Sequence, residues 1–441
     1  MLRRGLKTDG LPAPGAFYMS QTTSQNQDKL SLNEIVTGGL CMGCGLCRSI
    51  AGSDKIEIAM TPEGRQRPIE LSPLEDKTIE AIDATCPGIQ VISADPESIP
   101  EGAQIDPLWG PAAHMAIGYA TDPEIRYRGS SGGVLTALGT YLLARKEVDF
   151  ILHVAASKER PIISEACLSF DAVSVLEASG SRYASGAPLV NFMEVLNYNR
   201  PFAVIGKPCD ITAIRNLERR DPRVKKLVRY CLSLICGGMS DLSKTLSVLD
   251  HFGVQESELQ SFRYRGYGNP GLTKLQTKDN KTFAITYNEL WADEANWGTQ
   301  PRCKICPDAI GEVADIVAAD CWPGANPSGE DEGFNAIVVR TKRGQKLFDS
   351  AIADGALTTI KDITFADLER FQPHKVRQKK AAWARFAGMR ASGLPVPNTE
   401  GLRIEELARS QDWKELLAAA RGARDRAKTG RLGEPPATRE L

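Results

Sequence analysis

The chain has 441 residues, 42% of them apolar and 25% charged, with a formal net charge of −1. That length supports two or three domains and a large core, and the near-zero charge gives no global basic field for nucleic acid. No apolar run approaches the ~20 residues of a membrane-spanning helix, so no membrane span is expected.

Residues 1–29 are polar and rich in Gly, Pro, Ser, Thr and Gln. Arg3 and Arg4 precede no apolar stretch, so the segment is a poor signal peptide. It is expected to be a disordered N-terminus, with Met19 as an alternative start, and the chain is expected to be cytoplasmic. Eleven cysteines without an export signal suggest metal or redox work rather than disulfides. Cys167, Cys231 and Cys321 are scattered and read as buried thiols; the rest cluster.

Residues 30–100 form the first unit. Cys41-Met42-Gly43-Cys44-Gly45-Leu46-Cys47, followed by Cys86-Pro87, is the ligand grammar of a 4Fe-4S cluster: close-spaced thiolates on a tight loop and a distant Cys-Pro. Gly43 and Gly45 tolerate the positive φ that lets a backbone wrap such a cluster. The unit has few long apolar stretches, and a bound cluster can supply folding energy that its core lacks. Residues 101–112, with Pro107, Gly110 and Pro111, read as a linker.

Residues 113–364 have an α/β pattern. Gly129-Ser130-Ser131-Gly132-Gly133 precedes Leu135, Leu138, Leu142 and Leu143 at helical spacing. Ser130 or Ser131 is the expected N-cap. Free N–H groups and the helix dipole make such a turn a phosphate cradle, to which Thr136 can add a hydroxyl; a plain helix cap is the alternative. The dinucleotide fingerprint Gly-x-Gly-x-x-Gly is absent there, which disfavours a nicotinamide site. Strands are expected over 148–154 and 202–205. The second runs into Gly206-Lys207-Pro208-Cys209 and a helix through Arg220. Residues 227–235 form another strand, ending in Cys236-Gly237-Gly238 before a helix over 240–252. A meander is expected over 262–267, 272–277 and 282–287, with further strands over 314–319 and 335–341. Residues 365–425 read as a charged helical region, and 426–441 as a disordered tail.

Cys303-Lys304-Ile305-Cys306 is a second close pair. Cys209 and Cys236 sit at element ends, which in an α/β sheet can converge on one edge. Cys231 and Cys236, five apart on one strand, face opposite sides, and Cys236 has the glycines beside it. Cys209, Cys236, Cys303 and Cys306 are therefore assigned to a second 4Fe-4S site. Structural zinc suits four thiolates equally well. Lys207 can set a cation near a flavin edge or a phosphate, or can be a solvated lysine. Ser181 and Tyr183, in Ser181-Arg182-Tyr183, are equally ambiguous. Asp320 and Trp322, at a strand end, can pin a cofactor or cap the sheet. The four histidines show no ligand or triad spacing and receive no role.

These motifs, in this order, together with Ala314-Asp315-Ile316 leading to Asp320-Cys321-Trp322-Pro323, resemble the coenzyme F420 hydrogenase/dehydrogenase beta subunit family. That family includes divinyl chlorophyllide vinyl reductase and 7-hydroxymethyl chlorophyll a reductase. The resemblance covers roughly residues 35–390. It implies a ferredoxin-like iron–sulfur segment followed by a mixed-sheet FAD-binding domain and a helical C-terminal region. It also implies FAD at Ser130, Ser131, Gly132 and Gly133, with a second 4Fe-4S cluster nearby. Two departures stand out. Gly206-Lys207-Pro208-Cys209-Asp210 replaces a common Gly-Thr-Pro-Cys-Gln turn, so deazaflavin specificity does not carry over. Ala319-Asp320 replaces Gly-Asp.

The leading expectation is an FAD- and 4Fe-4S-dependent oxidoreductase. Electrons would pass from a ferredoxin or similar one-electron carrier through both clusters to FAD, and as hydride to a small organic substrate. No catalytic residue is assigned; water or a tyrosine such as Tyr183 is the expected proton source. One rival is an electron-transfer beta subunit oxidising or reducing a deazaflavin coenzyme of the F420 type within a hydrogenase or dehydrogenase complex. Another is a non-redox zinc protein that binds a partner. The partners expected are a ferredoxin-type carrier and either a second copy of the chain or a hydrogenase- or dehydrogenase-like subunit.

Overall fold

A computed structural model of the chain describes residues 29–292 and 298–438. An eight-stranded mixed sheet forms its centre. In chain order the strands are β1 (His114–Ala120), β2 (Phe150–Ala156), β3 (Ser164–Ser169), β4 (Phe202–Gly206), β5 (Val228–Leu234), β6 (Ile316–Asp320), β7 (Asn335–Val339) and β8 (Leu357–Asp362). Their spatial order is β8-β1-β7-β6-β5-β4-β2-β3. The inner strands β2, β4, β5 and β6 are parallel, with Ile151 opposite Ala203, Val204 opposite Cys231 and Ile316 opposite Leu232. Antiparallel strands complete both flanks.

The inner strands read as nearly unbroken apolar runs because both of their faces are covered. Phe150, Leu152, Val204, Val317 and Val338 bury one face in a core shared with Phe192, Ile211 and Ile214. Ile151, Ala203, Leu232 and Ile337 bury the other, with Leu138 and Leu142 of the helix Val134–Ala144. Parallel strands joined by helices share a carboxyl edge, where their connecting turns collect. A separate three-stranded meander, Leu259–Arg263, Thr273–Thr277 and Thr282–Ile285, packs its own small core.

Ahead of the sheet lie helices Leu32–Thr37, Leu46–Ala51 and Asp76–Thr85 and the hairpin Ile56–Met60 with Gln66–Glu70. Ser31 caps the first helix in a reciprocal box with Glu34. Beyond the sheet, helices Ala382–Arg390 and Trp413–Lys428 share a core with Ile35, Leu40, Ile89 and Ile305, and so lie against the loops that carry Cys41 and Cys86. Among the described residues no helix is long and apolar enough to cross a membrane.

Two sequence expectations are corrected. Residues 101–112 are no linker: Gln104–Asp106 pairs with Gly110–Ala112, Asp106 takes the N–H groups of Leu108 and Trp109 at 2.8 Å each, and Trp109 is buried. The segment from 426 is no loose tail over its described part. The last helix runs to Lys428, Leu432 enters the core, and the Glu434 carboxylate grips buried Arg67 at 2.7 Å through both Nε and Nη2. Gly433 and Pro435 mimic a tail in composition, but one distant ion pair overrides that signal. The expectation of disorder for residues 1–28 lies outside the described residues; Lys29 pairs with Glu80 at 2.7 Å.

Removing one partner of a buried ion pair strands the other charge. Glu434→Ala is therefore expected to lower the unfolding free energy by about 3 kcal/mol, read from urea unfolding of the whole chain.

Candidate functional site

The ends of the parallel strands open onto a cavity of about 410 Å³. Strand β4 delivers Gly206 and Lys207, and Pro208 occupies the first turn of the helix Pro208–Glu218. Strand β5 leads to Cys236, and β6 ends on Asp320. The Ser-Gly turn closes the cavity from the start of the helix Val134–Ala144. Among the expected cofactor residues, Ser130, Ser131, Gly133, Thr136, Ser181, Tyr183, Lys207 and Asp320 all line this one space. Gly132 does not. It lies against the backbone: a Cβ there would meet the Asn335 nitrogen at 2.9 Å and the Gly118 carbonyl at 3.0 Å.

The expectation that Ser130 or Ser131 caps the helix is overturned. The cap is Gly133, at φ 72°, and the first helical N–H, that of Val134, is taken by the distant Asn335 side chain at 3.3 Å. Both hydroxyls are used elsewhere. Ser130 Oγ accepts from the Ser181 N–H, and Ser131 Oγ donates to Asp320. The organiser is Arg265, which sequence reading missed. It is 3% exposed and pairs with both Asp320 oxygens at 2.9 and 3.1 Å. It also donates to the Ser130 carbonyl and lies over the rings of Trp322 and Tyr287 at 4.9 and 5.3 Å. Burial opposes the Arg265 charge, and Asp320 more than offsets it. The available signal was the segment Arg263-Tyr264-Arg265-Gly266, whose Gly266 sits at φ 101° and folds the chain back onto the Ser turn.

Lys207 is no solvated lysine. Its Nζ is 2.7 Å from Asp210, and although burial works against its charge, Asp210 and the thiols of Cys209 and Cys236 hold it protonated. Tyr183 is packed edge-on to Tyr264 and Trp291, and burial raises its phenol above the ordinary value. Arg182 donates to carbonyls of Pro161, Ile163 and Phe262 and to Ser164, and among the described residues no carboxylate pairs with it. The helix Pro373–Lys380 adds His374 and Lys375 to the lining, and His153 lines it from β2. Two of the four histidines given no role thus face the cavity. With Lys207, Arg182, Arg265 and Lys375 against Asp210 and Asp320, cations are in excess, which suits an anionic ligand.

The two cysteine sets converge as two groups. Cys41, Cys44 and Cys47 ride a loop with Gly43 at φ 70° and Gly45 at φ 85°, and a Cβ on Gly43 would strike the Gln66 carbonyl at 2.4 Å. Cys86 ends the helix Asp76–Thr85. Burial pushes the Cys86 thiol up to about 12, and the Cys41 thiol adds to the shift; Cys44 is raised by burial and by Cys86 and Cys47, and Cys47 by burial and by Cys41 and Cys86. In the second group, burial and Cys236 raise Cys303 to about 11, and burial raises Cys209 and Cys306. Backbone N–H groups point at sulfur: Gly43 at Cys41 and Gly238 at Cys236, both 3.4 Å, and Met239 at Cys303, 3.5 Å. A bound metal would supply charge that lets such thiols ionise. Among the described residues no three His, Cys, Asp or Glu side chains are close enough to hold a single metal ion. Cys231 faces the core, its N–H bonded to Asp315 at 2.7 Å; Cys167 lies on edge strand β3, and Cys321 follows Asp320 outside both groups.

His153 donates to or accepts from Ser169 at 2.7 Å, and burial lowers its pKa from 6.5 to about 4. As pH falls from 6.5 to 4, the unfolded chain takes up a proton that the folded chain refuses. Stability is therefore expected to drop across that window, by about 3 kcal/mol at its acid end. His153→Gln should flatten this limb in urea midpoints measured against pH.

Two family models match the chain, both describing the beta subunit of coenzyme F420 hydrogenase/dehydrogenase. Residues 115–194 match the model of its amino-terminal part, and residues 199–364 match the model of its carboxyl-terminal part. The beta subunit of an F420-dependent formate dehydrogenase from Methanocaldococcus jannaschii is 26% identical over 54% of this chain; the match spans 59% of that subunit's length. The beta subunit of the coenzyme F420 hydrogenase of Methanococcus voltae is 24% identical over 63% of this chain and 95% of its own. A chain of the F420-reducing [NiFe] hydrogenase complex from Methanosarcina barkeri shares the fold, with a TM-score of 0.50 at 21% identity, over 63% of this chain and 93% of that one. The cavity's floor, from the Ser turn to Asp320, lies inside the matched spans, and the chain belongs to the coenzyme F420 hydrogenase/dehydrogenase beta subunit family.

Proposed function

We propose that the chain is an electron-transfer subunit that binds FAD in the cavity and two 4Fe-4S clusters in the thiol groups. On this reading it exchanges electrons between a deazaflavin coenzyme and a hydrogenase- or dehydrogenase-like partner. The observation that carries the proposal is a shared wall: Cys236, of the second thiol group, lines the cavity, and so does Lys207, which immediately precedes Pro208-Cys209. The names of the relatives, which are F420-dependent hydrogenase and formate dehydrogenase subunits, support this reading over a free-standing ferredoxin-linked reductase.

The residues present fit these groups. Ser130, Ser131, Gly133 and Thr136 would hold a diphosphate, with Arg182 and Lys375 as positive charge in the same cavity. Lys207, kept charged by Asp210, would meet the anionic edge of a reduced ring. Tyr183, its phenol raised by burial, would keep its proton in place. Cys41, Cys44, Cys47 and Cys86 would hold one cluster, and Cys209, Cys236, Cys303 and Cys306 the other. The run of three cysteines two apart with a distant Cys-Pro favours a cluster over structural zinc in the first group. When bound, the flavin exchanges electron pairs with an organic partner and single electrons with the clusters.

A second reading keeps the same cofactors but takes a small organic substrate and a ferredoxin-type donor. It is favoured by Lys207 and Asp210, which put a buried ion pair where the family commonly carries Thr and Gln.

Protein purified without oxygen is expected to be brown, with about one FAD and about eight irons per chain. Reduced deazaflavin should bleach the flavin band. Bleaching by reduced ferredoxin alone would move the conclusion to the second reading, and a colourless, zinc-loaded protein without flavin would overturn both.

A further inference from the structure

We propose that Arg302 is a positioning residue shared by the two thiol groups, its guanidinium seated between Cys86 on one side and Cys303 and Cys306 on the other. The inference rests on the two-cluster reading above. Arg302 lies in the short helix Pro301–Lys304 and is 2% exposed. Its Nη2 donates to the carbonyl of Pro87, the residue after Cys86, at 3.2 Å. Its backbone runs directly into Cys303. Nε and Nη1 have no hydrogen-bond partner, although both are buried.

A guanidinium buried without an anion is costly, and five N–H donors in a rigid fork demand acceptors. Among the described residues no carboxylate pairs with Arg302. It spans both groups by geometry: its guanidinium reaches the Cys86-Pro87 turn through the Pro87 carbonyl, and its backbone lies in the turn that carries Cys303 and leads to Cys306.

A cation favours the more negative, reduced form of any cluster it faces. A cation facing two clusters raises both potentials together and leaves the gap between them little changed. Arg302 thus makes both sites easier to reduce while keeping electron exchange between them close to balanced. The one-electron change at each site needs no co-reactant beyond the carrier already proposed.

The test is the whole chain, purified without oxygen, as wild type, R302Q and R302K, with iron counted and both cluster signals followed by electron paramagnetic resonance at set potentials. R302Q is expected to disfavour reduction of both clusters about tenfold, a shift of about 59 mV for each one-electron couple. R302K, which keeps the charge, should fall between R302Q and wild type. A shift at one cluster only, or at neither, overturns the proposal. If R302Q loses iron, loss from both sites with recovery in R302K supports the shared role. Loss from one site only, or no recovery in R302K, overturns it. Wild-type protein without iron would instead sink the two-cluster reading itself, and this proposal with it.

Discussion

Arg265 and Asp320 stand 55 residues apart in the chain and meet in a two-point pairing at the floor of the cavity. Everything around the Ser turn is hung from that pairing. Asp320 takes the Ser131 hydroxyl, Arg265 takes the Ser130 carbonyl, and Ser130 in turn takes the Ser181 N–H. On the far side, Gln372 Nε2 donates to the Asp320 carbonyl at 2.8 Å, so the C-terminal helices are referenced to the same strand end. Charge-assisted bonds in a dry setting are stronger and shorter than neutral ones, and here they fix the relative position of four chain segments. The hydroxyls that look free to cap a helix are committed to this network, which leaves the cap to Gly133.

The parts legible in the sequence are those written in local code. Cysteine spacing, Gly-Lys-Pro-Cys after an apolar run and the Ser-Gly turn before an amphipathic stretch each depend on neighbours a few residues away. Strand apolarity likewise marked β2, β4, β5, β6 and β7 within a few residues of their bounds. The parts that were not legible depend on partners far off in the chain. Arg265 looks like any charged residue in a Gly-rich turn until Asp320 is brought against it. Tyr183 and His153 have no spacing that sets them apart, and their burial comes from the meander and from β3. Trp109 and Leu432 sit in segments whose Pro and Gly content resembles loop and tail, and only the tertiary core reveals them as buried.

The family match also has an informative boundary. It ends at residue 364, while the cavity takes Gln372, His374 and Lys375 from beyond that point. The loop carrying Cys41, Cys44 and Cys47 lies before the matched region begins at residue 115. The sheet and its carboxyl edge are thus the common framework, while Gln372, His374 and Lys375 of the cavity lining and the enclosure of the first thiols come from segments on either side of it. Those outer segments pack on each other: Ile35 and Leu40 share a core with Trp383, Leu416 and Leu432.

The Arg67–Glu434 pair joins residues separated by 367 positions. Arg67 acts on Cys41, and Leu432, two residues before Glu434, has its carbonyl so close to Gly39 that a Cβ there would meet it at 2.0 Å. During synthesis the loop with Cys41, Cys44 and Cys47 leaves the ribosome long before the segment around Glu434 exists. Its thiols consequently pass through a period in which one side of their enclosure has not yet been made. Any group these thiols were to hold would find the loop open for an interval set by translation, which the arrival of Leu432 and Glu434 ends.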